Sequence, residues 1–229
     1  RNGTILCQAP FGPQDPELPR MTFSACKSIT ALAIGLLMDD GLLSPKDRLA
    51  ELFSADCGPV SKRIMKDLTV EHLLTMQTGN QFNEVSCMTE EDWVRSFCQS
   101  PSLTPPTGKF QYNSLNTYML AVLVTRLTGK TLSQFLTERL FAPMGISDFY
   151  WETCPAGIEK GGWGLYLRPE DLAKLGQLIL DHGFWNGQQL ISGEEFYNQE
   201  DYILLARLIN AEAGNQSLEG KIAVGNVIM

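Results

Sequence analysis

Apolar residues recur three and four positions apart along "SACKSITALAIGLLMDDG", at Ile29, Leu32, Ala33, Leu36 and Leu37, and the run stops at Gly41. That period predicts a helix from Ser24 to Asp40. "LSPKDRLAELF" and "LTVEHLLTMQTG" predict short surface helices, the second ending at Gly79. "TEEDWVRSFCQS" predicts a helix capped by Thr89, with acidic residues in its first turn, where the helix end is positive. Two more helices are expected, about Leu115 to Leu127 and Leu132 to Leu140, split at Gly129. "RPEDLAKLGQLILDHG" has Pro169 near its start and Gly183 past its end, the usual helix punctuation. Extended segments are fewer: "GTILCQ" and "GGWGLYL" are strand candidates. Pro-rich loops, "APFGPQDPELPR" and "PSLTPPTGKFQY", separate the periodic segments, and no internal repeat is visible.

Composition narrows the function classes. The 229 residues, 44% hydrophobic and 19% charged, suffice for one large globular domain or two small ones. A formal charge of −8 with no basic cluster argues against a nucleic-acid partner, because nothing would neutralise phosphates. The most apolar run, Ile29 to Met38, is far shorter than the roughly 20 residues of a membrane span, so none is expected. Six cysteines (Cys7, Cys26, Cys57, Cys87, Cys98 and Cys154) are spread without a C-x-x-C, which suits neither a disulfide framework nor a zinc site. Reduced thiols are expected, which leans toward the cytoplasm. The opening "RNGTILC" carries no signal pattern, and a cell-envelope location stays open. Two distant histidines and unclustered carboxylates make no coordination set, so neither metal nor organic cofactor is expected.

The helix start carries candidate chemistry. Ser24 and Lys27 are three residues apart, so on a helix they share a face. A serine hydroxyl is a poor nucleophile until a neighbouring base takes its proton, and Lys27 is placed to be that base. Backbone N–H groups at the helix N-terminus add positive potential for a developing oxyanion. The pattern S-x-x-K alone is weak, since it occurs by chance roughly once in a chain of this length. The competing reading is two ordinary residues opening a buried helix. Cys26, next to Lys27, is either a reactive thiol or a packed helix cysteine.

Four ordered segments add context: "SACKSITALAIGLLMDDGLLSPKDRLAELF", "LTVEHLLTMQTGN", "FQYNSLNTYMLAVLVTRLTGKTLSQFLTERLFAPMGISDFYW" and "GGWGLYLRPEDLAKLGQLILDHGFWNGQQLIS". In this order and spacing, residues 21 to 192 resemble the serine β-lactamase and penicillin-binding-protein-like superfamily, most closely its class C and esterase-like branch. The resemblance implies an α+β, β-lactamase/transpeptidase-like fold that is helix-rich and incomplete, with an antiparallel sheet lacking strands. It implies Ser24 as nucleophile, Lys27 as proton acceptor and Tyr112, from the family's Y-x-N motif, as proton relay. Asn113 and Ser114 complete that motif as substrate-binding candidates, with Ser114 where the family usually has asparagine. A second register, Ser114-Leu115-Asn116 read as S-x-N, makes Asn116 a further substrate-binding candidate. The third motif, K-T-G or a histidine variant, has no match: Lys130-Thr131 runs into Leu132 at a helix start, and His182-Gly183 closes a helix.

Residues 193 to 229 read as a separate helical extension. "EDYILLARLINAEAGNQSLEGKIAVGNVIM" resembles the opening of cell-wall hydrolases that include spore-cortex-lytic enzymes, and that resemblance implies Glu212 as a catalytic acid for glycan cleavage. The alternative is an exposed glutamate on an amphipathic helix. Two partial families in one chain point to a chimera, divided as 1–192 and 193–229. The expected function is a serine hydrolase forming an acyl-enzyme on β-lactams, D-alanyl peptides or small esters. Its rivals are a silent structural or binding scaffold, and glycan hydrolysis by the tail. Expected partners are a small-molecule or peptidoglycan-like substrate and an oligomer or partner chain that completes the sheet.

Overall fold

The computed structural model describes residues 15, 17–100 and 109–192. In chain order, strand β1 (Arg20–Met21) leads through a 3₁₀ turn, Phe23–Ala25, into helix α1 (Cys26–Asp39). Four short helices follow: α2 (Leu49–Leu52), α3 (Pro59–Ile64), α4 (Val70–Leu74) and α5 (Trp93–Gln99). Next come the long α6 (Ser114–Thr128) and α7 (Leu132–Leu136), the latter running on as a π-helical turn, Thr137–Phe141. Strands β2 (Phe149–Trp151) and β3 (Leu165–Leu167), helix α8 (Pro169–Leu180) and a hairpin of β4 (Phe184–Trp185) and β5 (Gln188–Gln189) complete the order.

Helices α1 and α6 pack against each other at the centre. Both are apolar over most of their circumference, as fully enclosed helices must be. Ile29, Leu32, Ala33, Ile34, Leu36 and Leu37 of α1 are each at most 2% exposed, and α6 is buried from Ser114 to Val124. Gly129 ends α6 in the left-handed conformation, at φ 70°, and its N–H closes the last turn on the Thr125 carbonyl. The sheet is antiparallel with order β1-β3-β2, and Leu165 and Leu167 point to the core while Tyr166 points outward. This is an α+β arrangement, helix-rich with a small antiparallel sheet.

Several boundaries differ from expectation. Ser24 lies in the 3₁₀ turn rather than in α1, and α5 starts at Trp93. Asp92, not Thr89, caps α5, its carboxylate accepting the Arg95 N–H at 3.0 Å. Asp92 directly precedes the buried pair Trp93 and Val94, whereas Thr89 ends a separate turn. Helix α4 stops at Leu74, because Met76 adopts φ 54° well before Gly79. The two helices expected on the surface bury Leu49, Val70 and Leu73. The strand candidate "GTILCQ", the chain from 193 onward and Glu212 lie outside the described residues. Among the described residues no helix is long and apolar enough to cross a membrane, and no group of three potential metal ligands forms.

Candidate active site

Three chain segments converge at the start of α1. Phe23, at φ 48°, turns the chain sharply after β1, a conformation costing a non-glycine residue about 1–3 kcal/mol. The turn places Ser24 one residue beyond that strained position. Lys27, one helical turn on and only 2% exposed, donates from Nζ to Ser24 Oγ at 2.6 Å. Tyr112, just before α6, donates its hydroxyl to the same Oγ at 2.8 Å. Lys27 Nζ also lies 4.9 Å from the centre of the Tyr112 ring, within cation–π range. It also donates to the Gly162 carbonyl at 2.7 Å. A buried ammonium needs such partners, because desolvation is costly unless hydrogen bonds replace water.

The glycine pair is what lets the third segment come this close. A Cβ on Gly162 would sit 2.7 Å from the Ser114 carbonyl oxygen. One on Gly161, at φ 63°, would meet the Ala121 side chain at 2.8 Å. With no side chains there, the Gly161 carbonyl accepts from Thr30 Oγ1 at 2.9 Å and from Cys26 Sγ at 3.3 Å. The loop before β3 therefore clamps α1 and α6 together.

Asn113 caps α6 through its own carbonyl oxygen, which accepts the Leu115 N–H. Its amide nitrogen donates to the carbonyls of Asn80 and Phe82 at 3.1 and 2.8 Å. At 3% exposure with both ends engaged, it fastens the 80–84 loop to the helix and does not line the cavity beside Ser24. Asn116 is 1% exposed and accepts from Thr78 Oγ1 at 2.6 Å, so the S-x-N register points into the core. Among the described residues its Nδ2 has no hydrogen-bond partner. Ser114 instead borders a cavity of about 550 Å³ together with Ser24 and Tyr112. Cys26 is fully buried, a packed helix cysteine, and the five described cysteines form no disulfide. Lys130 pairs with Glu138 and Thr131 caps α7, so neither reaches the site.

The rest of the cavity wall was not legible as a site in the sequence. Glu84, Cys87, Met88 and Trp93 come from the segment between α4 and α5, and Lys160 and Trp163 from the glycine loop. Trp93 and Trp163 stack with ring centres 5.7 Å apart. Burial, reinforced by the negative charge of Glu84, pushes the Cys87 thiol up, against thiolate formation. Lys160 is held 2.6 Å from Glu152 Oε2, and this bond keeps the Glu152 carboxyl below its ordinary range. Of these residues only Trp163 lies in one of the four segments that carry the family resemblance.

The sequence model of the β-lactamase family matches residues 1–207. A 6-aminohexanoate-dimer hydrolase of Paenarthrobacter ureafaciens is 27% identical over 215 residues, covering 84% of this chain and 53% of that protein. A lovastatin esterase of Penicillium rubens is 28% identical over 193 residues, covering 70% of this chain and 46% of the relative. The chain thus spans about half the length of these relatives. A penicillin-binding-protein homologue from Caulobacter crescentus shares the fold, with TM-score 0.63 and 21% identity over 81% of this chain and 61% of that one. With nine-tenths of its length matched by the family's sequence model, from residue 1 to 207 of 229, the chain belongs to the β-lactamase family.

Proposed function

We propose that this chain carries the nucleophile of a serine hydrolase that works through an acyl-enzyme on an ester or amide carbonyl. The observation that carries the reading is the convergence of Lys27 and Tyr112 on Ser24 Oγ, at 2.6 and 2.8 Å. In acylation the Ser24 Oγ–carbon bond forms while the Oγ proton passes to Lys27 in its unprotonated amine form. Tyr112 gives a proton to the departing alcohol or amine, and the Lys27–Tyr112 pair redistributes the proton gained from serine. Amides at the start of α1 offer donors to the oxyanion. Deacylation reverses these roles with water as nucleophile, and the acid is released. Ser114, which lines the same cavity, would hold the substrate carbonyl or amide. Two relatives are named as a 6-aminohexanoate-dimer hydrolase and a lovastatin esterase, which supports a hydrolytic substrate class alongside β-lactams, D-alanyl peptides and small esters.

The test is intact-protein mass after exposure to a penicillin and, separately, to a fluorophosphonate, with Ser24→Ala in parallel. A stoichiometric adduct absent from Ser24→Ala is the expected result. A folded sample that takes up neither reagent would overturn the enzyme reading and leave a scaffold.

A further inference from the structure

A carboxylate beside a serine nucleophile calls for its own explanation, because it disfavours the negative charge that builds up during acyl transfer. Glu84 lines the same cavity as Ser24. One of its oxygens accepts the Ser114 N–H at 2.9 Å, which fixes the carboxylate against the first turn of α6. Among the described residues its other oxygen accepts no hydrogen bond and joins no ion pair. Lys160, on the same cavity, is different: its ammonium is already 2.6 Å from Glu152 and 5.6 Å from the centre of the Trp163 ring. The lysine's charge is thus met by its own carboxylate, while Glu84 forms no ion pair among the described residues. Apolar surface completes the wall. Trp93 stacks on Trp163, and Met88 is 83% exposed.

Resting on the acyl-enzyme reading above, we propose that this cavity holds a cation subsite, and that the substrate is an ester or amide bearing a protonated amine or quaternary ammonium. Glu84 receives the charge, and the Trp93–Trp163 stack and Met88 receive the apolar stem that joins it to the carbonyl. The cationic group takes no part in the bond changes and only positions the carbonyl at Ser24. Because the carboxylate is already held by the Ser114 amide, it need not reorganise when the cation arrives. The chain's charge of −8 also raises the local concentration of cationic substrates over anionic ones.

The experiment uses two fluorophosphonates of equal shape, one ending its alkyl arm in trimethylammonium and the other in tert-butyl. Second-order labelling rates at Ser24 are read by intact mass. The cationic reagent is expected to label at least about tenfold faster, and Glu84→Gln, which keeps an acceptor for the Ser114 N–H, is expected to bring the ratio near one. Raising the salt concentration on the unaltered protein should narrow the ratio as well, which tests the charge even if the variant fails to fold. Equal labelling by the two reagents, or a preference that Glu84→Gln and salt leave untouched, overturns the subsite while the hydrolase reading stands. Labelling by neither reagent overturns the hydrolase reading and the subsite with it.

Discussion

Lys27 concentrates the conflict between stability and chemistry in one side chain. It is buried at 2% exposure, with Gly162, Ser24 and the Tyr112 ring for company. Replacing a buried charge by an apolar chain of similar volume is often neutral or stabilising. Lys27→Met should therefore keep its thermal midpoint within a few degrees of the parent, or raise it, while fluorophosphonate labelling of Ser24 slows at least about 100-fold. A variant that labels normally would remove Lys27 from the mechanism. Asn113 makes the opposite case. Asn113→Ala deletes a helix cap and two further bonds to the 80–84 loop, and should destabilise by about 1–3 kcal/mol in denaturant unfolding. The sequence located both residues, but it could not separate their roles. S-x-x-K and Y-x-N specify which residue types meet, whereas the direction in which Asn113 points depends on carbonyls some thirty positions away.

Among the elements, the glycine loop before β3 has most to do with the site. "GGWGLYL" reads as a strand, yet only Leu165–Leu167 pairs as one. Gly161 and Gly162 are there for close approach to α6, which the alternation of a strand does not encode. Gly162→Ala would drive a methyl group to 2.7 Å from the Ser114 carbonyl oxygen. Either the loop or the start of α6 must shift, at a cost of about 1–3 kcal/mol, and the Gly162 carbonyl leaves Lys27. Slower Ser24 labelling in a still-folded Gly162→Ala protein is the expected result. The same loop carries a pH dependence. Lys160 holds the Glu152 carboxyl below its ordinary value of 4.5, so the pair's stabilisation is complete above that value and is lost as pH falls through the lower folded one. The gap in thermal midpoint between the parent and Glu152→Gln should be present at pH 7 and close on strong acidification. Elsewhere, element legibility followed local signals. Gly129, Pro169 and Gly183 marked helix ends, while α3 buries no side chain and the strands of two or three residues are too short to show a period.

For the whole molecule, the site exists only because α1 and α6 are packed. Ser24 and Tyr112 are 88 positions apart, and Lys27 and Gly162 are 135 apart. No local pattern fixes such distances, so the sequence could name the residues through ordered resemblance but not bring them together. The hydrophobic core does that, and core and site should fail as one unit. Leu36, fully buried on α1, lies about three turns from Ser24 and does not border the cavity. Leu36→Ala should cost about 2–5 kcal/mol through lost burial and the space left behind. If the core alone positions the site, labelling of this variant by a fluorophosphonate will fall with denaturant in step with its unfolding. Plotted against the folded fraction, parent and variant rates should then lie on one line. A variant that loses labelling while its helices remain fully folded would show the opposite: local order at the 3₁₀ turn, not packing of the whole, would then set the reactivity of Ser24.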